Sequence, residues 1–140
     1  MSIPTINELE TMTPDQLGEL LRSEVDKNSP DFHCIDDILT VGCPIDYRTI
    51  DGLTALHMAA MYGKLEVVEF LLHRGAELDV RDKWGRTALH CAAVWGHLEM
   101  VKFLISKGAE VNARDKWGGA ARRWTLRPDI RAMLEELEAK

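Results

Sequence analysis

The chain has 140 residues, of which 46% are apolar and 29% charged, and its formal net charge is −6. That length suits one domain with a sizeable core. No apolar run approaches membrane-span length and no basic-plus-hydrophobic leader opens the chain, so neither a membrane nor a signal peptide is expected. Residues 1–50 hold 3 Lys/Arg against 10 Asp/Glu, and residues 113–140 hold 7 against 5. A broad basic face able to neutralise phosphates is therefore not expected, which disfavours a generic nucleic-acid binder. Patterned charge fits a protein partner instead. Cys34, Cys43 and Cys91 are odd in number and show no metal-ligand spacing, which argues against a disulfide framework. The expected setting is reducing, cytoplasmic or nuclear, and a secreted bacterial effector is compatible with the same features.

In chain order, residues 1–12 read as an N-terminal extension. Thr13-Pro14-Asp15-Gln16 is a capping box with proline at the first helical position, and Leu17, Leu20, Leu21 and Val25 form its apolar stripe. Residues 13–49 read as a degenerate capping unit. The next two stretches, 50–82 and 83–115, align with 18 identities in 33 positions, too many for a composition effect. The pentapeptide RDKWG, at Arg81–Gly85 and Arg114–Gly118, keeps the same pitch. In each unit Thr54 or Thr87 can cap a short helix of small apolar residues, ended by Gly63 or Gly96. A second helix follows, with Leu65, Val68, Leu71 and Leu72, then Leu98, Val101, Leu104 and Ile105, expected to face the core. Gly75 and Gly108 close it. Residues 116–140 read as a second degenerate cap, in which Arg122 and Arg123 replace the Leu-His pair. Pro128 can start its last helix, with Ile130, Met133, Leu134 and Leu137 as the apolar face.

The stretches DGLTALHMAA, WGRTALHCAA, GHLEMVKFL and GAEVNARD resemble ankyrin repeats. The resemblance implies an all-α solenoid of about four stacked helix-turn-helix units with projecting β-turn loops. It also implies that His57 and His90 hydrogen-bond loop backbone between repeats, and His97 is given the same structural role. Cys91 is expected to be a buried hydrophobe.

No phosphate loop, HExxH, CxxC or nucleophile elbow is present, so no catalytic residue, cofactor or metal is expected. In the family, partner-dependent positions lie at the loop tips and at the end of each first helix. Carried onto this chain, they are Ile50, Asp51 and Leu53; Lys83, Trp84 and Arg86; Lys116, Trp117 and Gly119; and, on the helices, Met61, Tyr62, Val94 and Trp95. Aromatics interleaved with Lys83 and Arg86 suit a protein-binding surface. The plain structural alternative is that each tryptophan packs over its own loop stem, and Trp124 is assigned to packing in the cap.

The expected function is a non-catalytic adaptor, inhibitor or competitor that binds a protein or peptide on a concave aromatic face, as a monomer. Two alternatives stand beside it. One is a methyl-lysine reader using a Trp/Tyr cage with Asp51 or Glu99 as its acid. The other is a self-associating structural module. Asn112 stands in a context like that of asparagine hydroxylation in some ankyrin repeats, against a plain loop-stabilising role.

Overall fold

The computed structural model describes residues 4–139. Among them are nine helices and no strand: α1 (Ile6–Glu10), α2 (Pro14–Asp26), α3 (Phe32–Thr40), α4 (Ala55–Met61), α5 (Leu65–His73), α6 (Ala88–Val94), α7 (Leu98–Ser106), α8 (Ala121–Trp124) and α9 (Pro128–Glu138). They pair as α2/α3, α4/α5, α6/α7 and α8/α9. The first members α2, α4, α6 and α8 pack in a row, each on the next.

Sequence chemistry accounts for the ends of α4 and α6. Thr54 and Thr87 accept the N–H of His57 and His90 in capping boxes, so two otherwise orphaned donors are satisfied at each start. After α4, the Gly63 N–H reaches the Ala60 carbonyl and the Lys64 N–H reaches that of Ala59. Gly63 holds a φ of 70° there, a conformation that a side chain would strain. The same pair of bonds closes α6 at Gly96.

Alanine pairs let the first-helix row close up: Ala59, Ala60, Ala92 and Ala93 are all fully buried. Leu56 and Leu89 fill the space between the helices of a pair, together with Val68, Leu71, Val101 and Leu104. One part of the expected core face is different. Leu65 is 37% exposed and Leu98 only partly buried, whereas Val67 and Met100 are buried. Leu65 and Leu98 are the first residues of their helices, and Cβ atoms tilt toward the helix N-terminus, so their side chains lean back over an open end. The buried stripe starts two residues later.

At the N-terminal end, Thr5 and Glu8 form a capping box and Leu9 is fully buried as α1 packs on α3. Residues 5–10 are thus part of the packed body, which their sequence did not announce. At the other end Arg122 turns outward to pair with Glu135 and Glu138 of α9. The small Ala120 and Ala121 occupy the contact with α6 in its place.

Units are joined by buried polar contacts. Nε2–H of His57 donates to the Arg86 carbonyl at 2.9 Å, and that of His90 to the Gly119 carbonyl at 3.0 Å. On the other side of each ring, Nδ1 accepts the N–H of Thr54 or Thr87 at 3.1 and 3.2 Å. A ring that must accept on one nitrogen and donate on the other has to be neutral. Burial lowers both imidazole pKa values below the usual 6.5, with the two loop carbonyls partly opposing the shift.

A depressed histidine pKa means that the unfolded chain binds protons first as the pH falls. Stability from these groups is complete above the unfolded value of about 6.5 and declines below it, toward the folded pKa. Urea-unfolding midpoints should therefore drop between about pH 7 and pH 5. A flat profile across that window would show that the two rings do not stay neutral. His90→Ala should destabilise the fold by roughly 1–3 kcal/mol, because it leaves the buried Thr87 amide without its acceptor and removes one of the two donors to the Gly119 carbonyl.

Candidate functional site

Each loop is a tight turn made by its own sequence. In DKWG the Gly85 N–H bonds the Asp82 carbonyl, and Asp82 Oδ1 accepts the N–H of Trp84 and of Arg86, each at 2.9 Å. Asp82 Oδ2 takes Arg86 Nε at 2.8 Å. Successive loops are also stitched to one another: the Lys83 N–H donates to the Asp51 carbonyl and the Lys116 N–H to that of Trp84. At Gly52 a Cβ would stand 2.7 Å from the Lys83 nitrogen, so a side chain there would push the loops apart. This stitching sets the tips in a row.

The structure sorts the sequence-derived positions. Trp95 at the end of α6 is 61% exposed and Trp117 at the third tip is 54% exposed. Trp84 is only half-buried, and its ring carries the Arg86 guanidinium at 4.7 Å and the Lys83 ammonium at 5.6 Å. Lys116 lies over Trp117 at 5.2 Å and Arg123 over Trp124 at 5.1 Å. The tryptophans of the loops and cap therefore carry the protein's own cations.

Two hollows gather most of the remaining positions. One, of about 410 Å³, joins Ile50, Asp51, Leu53, Met61 and Tyr62 to Glu19 and Arg22 of α2. Ile50 in it is 96% exposed. The other, of about 240 Å³, is walled by Arg86, Val94, Asp115, Trp117 and Trp124. Trp124, expected only to pack, contributes to this second hollow as well. Its ring meets Trp117 edge-on with centroids 6.3 Å apart, and its indole N–H donates to Asp115 Oδ2 at 2.6 Å.

Asp115 corresponds to Asp82 one unit earlier, and Gly119 to Arg86. Where the repeat uses the guanidinium of Arg86 on Asp82, the cap uses the indole of Trp124 on Asp115. Gly119 permits the exchange, since a Cβ at that position would lie 2.7 Å from Trp124 Nε1. Burial would raise the Asp115 pKa, but the N–H groups of Gly119, Trp124 and Trp117 outweigh it and hold the carboxyl below its usual range. Nothing in the sequence signals this substitution beyond the absence of Arg at 119.

Asn112 is exposed, in the place where Asp46 and Asp79 accept the N–H of Glu77 and Glu110 from the following unit. Among the described residues its side chain makes no hydrogen bond. Burial raises the thiol pKa of Cys34 and Cys43 to about 11 and that of Cys91 to about 12, which favours the protonated thiol at neutral pH. Among the described residues no group of three or more His, Cys, Asp or Glu is arranged to hold a metal ion.

Comparison with known families agrees with this architecture. A family model of ankyrin repeats, in three copies, matches residues 21–115. The chain belongs to the ankyrin-repeat family. No curated protein shows a match to it. Ankyrin repeats generally mediate protein–protein interaction and are typically non-catalytic. The three matched copies run from within α2 to the end of the second RDKWG loop stem, so α8 and α9 lie beyond them.

The Trp124–Asp115 bond gives this part of the ankyrin stack a direct check. Gly119→Ala should expel the indole, leave Asp115 short of one donor, and cost about 1–3 kcal/mol. Tryptophan fluorescence should shift to the red in the folded protein. An unchanged emission maximum and melting temperature would mean that the indole is not held there.

Proposed function

We propose that this ankyrin-repeat chain is a non-catalytic interaction protein that docks a protein segment along its loop tips and first-helix ends. Trp95 and Trp117 serve as anchors. The hollow between Val94, Trp117 and Trp124 receives an apolar side chain of the partner. Tyr62, Met61, Leu53 and Ile50 form a second apolar seat at the acidic end of the molecule. Lys83, Arg86, Lys116 and Arg123 select acidic residues near the first seat.

The observation that carries this reading is the cation placed over Trp84, Trp117 and Trp124. Three large aromatic side chains with their own positive charges beside them form a surface at once apolar and basic, and tryptophan and arginine are the residues that dominate binding energy at interfaces. The same cations weigh against a methyl-lysine cage, because a second ammonium would have to displace them. Glu99 is paired with Lys102, and Asp51 lines the hollow that holds Tyr62. A monomer acting in a reducing compartment, cytoplasmic or nuclear, as adaptor, inhibitor or competitor, completes the proposal, in keeping with three buried unpaired thiols.

Affinity capture followed by mass spectrometry should yield a partner that Trp95→Ala with Trp117→Ala loses, while the melting temperature changes little because both side chains are exposed. The captured complex should weaken as salt rises. Equal capture by wild type and double variant would end the site assignment. Light scattering that shows dimers dissociated by the same changes would point to self-association instead.

A further inference from the structure

The stack contains a ladder of arginines with one unfinished rung. Arg48 Nη1 donates to the Gly52 carbonyl in its own loop and to the Arg81 carbonyl of the next unit. Arg81 Nη1 repeats this with Gly85 and with Arg114, the latter at 2.6 Å. Arg114 Nη1 reaches the Gly118 carbonyl at 2.9 Å, and among the described residues it has no further acceptor. No repeat follows within the described residues to supply the next carbonyl. The rung opens instead onto a pocket of about 330 Å³ that Arg122, Arg123, Arg131 and Glu135 also line.

The charge there is unbalanced. Arg122 is neutralised by Glu135 and Glu138. Arg114, Arg123 and Arg131 hydrogen-bond only to backbone carbonyls, those of Gly118, Trp117 and Thr125, and none is in an ion pair among the described residues. Three guanidiniums thus keep donors to spare around one pocket. A carboxylate would balance one of them. A phosphate monoester carries about −1.5 to −2 charges and three acceptor oxygens, which suits several planar donor forks at once.

We propose that this pocket binds a phosphate monoester carried on a serine or threonine of the docked protein. Arg123 argues for a protein-borne phosphate. It lines the pocket, while its guanidinium lies over Trp124 and donates to the Trp117 carbonyl, so the pocket adjoins the aromatic hollow. One segment can place an apolar residue in the hollow and a phosphorylated one among the arginines. This source rests on the reading that the chain docks a protein segment; the pocket itself does not.

The test follows the arginine Nε–H resonances of the full chain by NMR during titration with N-acetyl-phosphoserine amide, N-acetyl-serine amide and inorganic phosphate. The phosphoserine probe should shift Arg114, Arg123 and Arg131 saturably, more tightly than inorganic phosphate does, and the serine probe should shift none of them. Arg114→Gln should weaken the phosphoserine probe about tenfold, the loss of one charge-assisted donor pair. Arg131→Gln, on a different element, should do the same should Arg114→Gln perturb folding, and Lys102→Gln on the exposed face of α7 should change nothing. Unsaturable shifts at every arginine would reduce the effect to charge screening and overturn the site. Inorganic phosphate binding as tightly as the phosphoserine probe would overturn the protein-borne source. The probe needs no partner, so its loss with Trp-dependent capture intact rejects this pocket alone. Its persistence with capture indifferent to Trp95→Ala and Trp117→Ala rejects the aromatic reading alone.

Discussion

Each unit of this molecule leaves polar groups that only the next unit can satisfy, and the rest of the structure depends on that constraint. The buried imidazole of His57 finds an acceptor for its Nε2–H only in the Arg86 carbonyl, 29 residues on, and His90 stands in the same relation to Gly119. Arg48 and Arg81 each need the carbonyl 33 residues ahead, and Asp46 and Asp79 each take an N–H 31 residues ahead. The loops are therefore held both by their own turns and by bonds to their neighbours, and the aromatic side chains stand on the row of tips that results.

Within the described residues the two ends of the stack are covered differently. At the start, α1 covers α3 by burying Leu9. At the other end, side chains of the cap take up contacts made differently within the repeats. The Trp124 indole occupies on Asp115 the place of the Arg86 guanidinium on Asp82, and Arg127 Nη1 bonds the Gly96 carbonyl beyond α6, much as His97 Nε2 bonds that of Met61 at the end of α4. Two ladders are not finished in this manner. Among the described residues Arg114 and Asn112 are the last rungs of theirs, and both border the arginine-rich end of the stack. Donors left over by the stacking pattern are thereby grouped around one pocket.

The loop motif RDKWG divides along the same line. Arg81, Asp82 and Gly85 are consumed by the ladder, the turn and the left-handed φ of 76°. Lys83 and Trp84 are not, although Trp84 is partly spent on holding Lys83 and Arg86 over its faces. In the second copy the residue after the motif is Gly119 instead of Arg86. Trp117 is consequently more open than Trp84 and shares a hollow with Trp124. Identical letters thus acquire different exposure, because what lies one unit further on is different.

The sequence by itself determined the repeat, its 33-residue pitch, and the capped starts and glycine ends of the helices. These are properties of short stretches, set by local hydrogen bonds and backbone φ, and they are legible wherever residue type and spacing state them. The role of the two TALH histidines and the choice of loop-tip and helix-end positions came instead through the resemblance to ankyrin repeats. The tertiary structure alone decided which of those places are open. It covered Trp84 with cations, left Trp95 bare, brought Trp124 beside Trp117, turned Arg122 outward, and gathered Arg114, Arg123 and Arg131 around one pocket. Each of those outcomes depends on what the next unit does or does not supply, a contact some thirty residues away that no local pattern records.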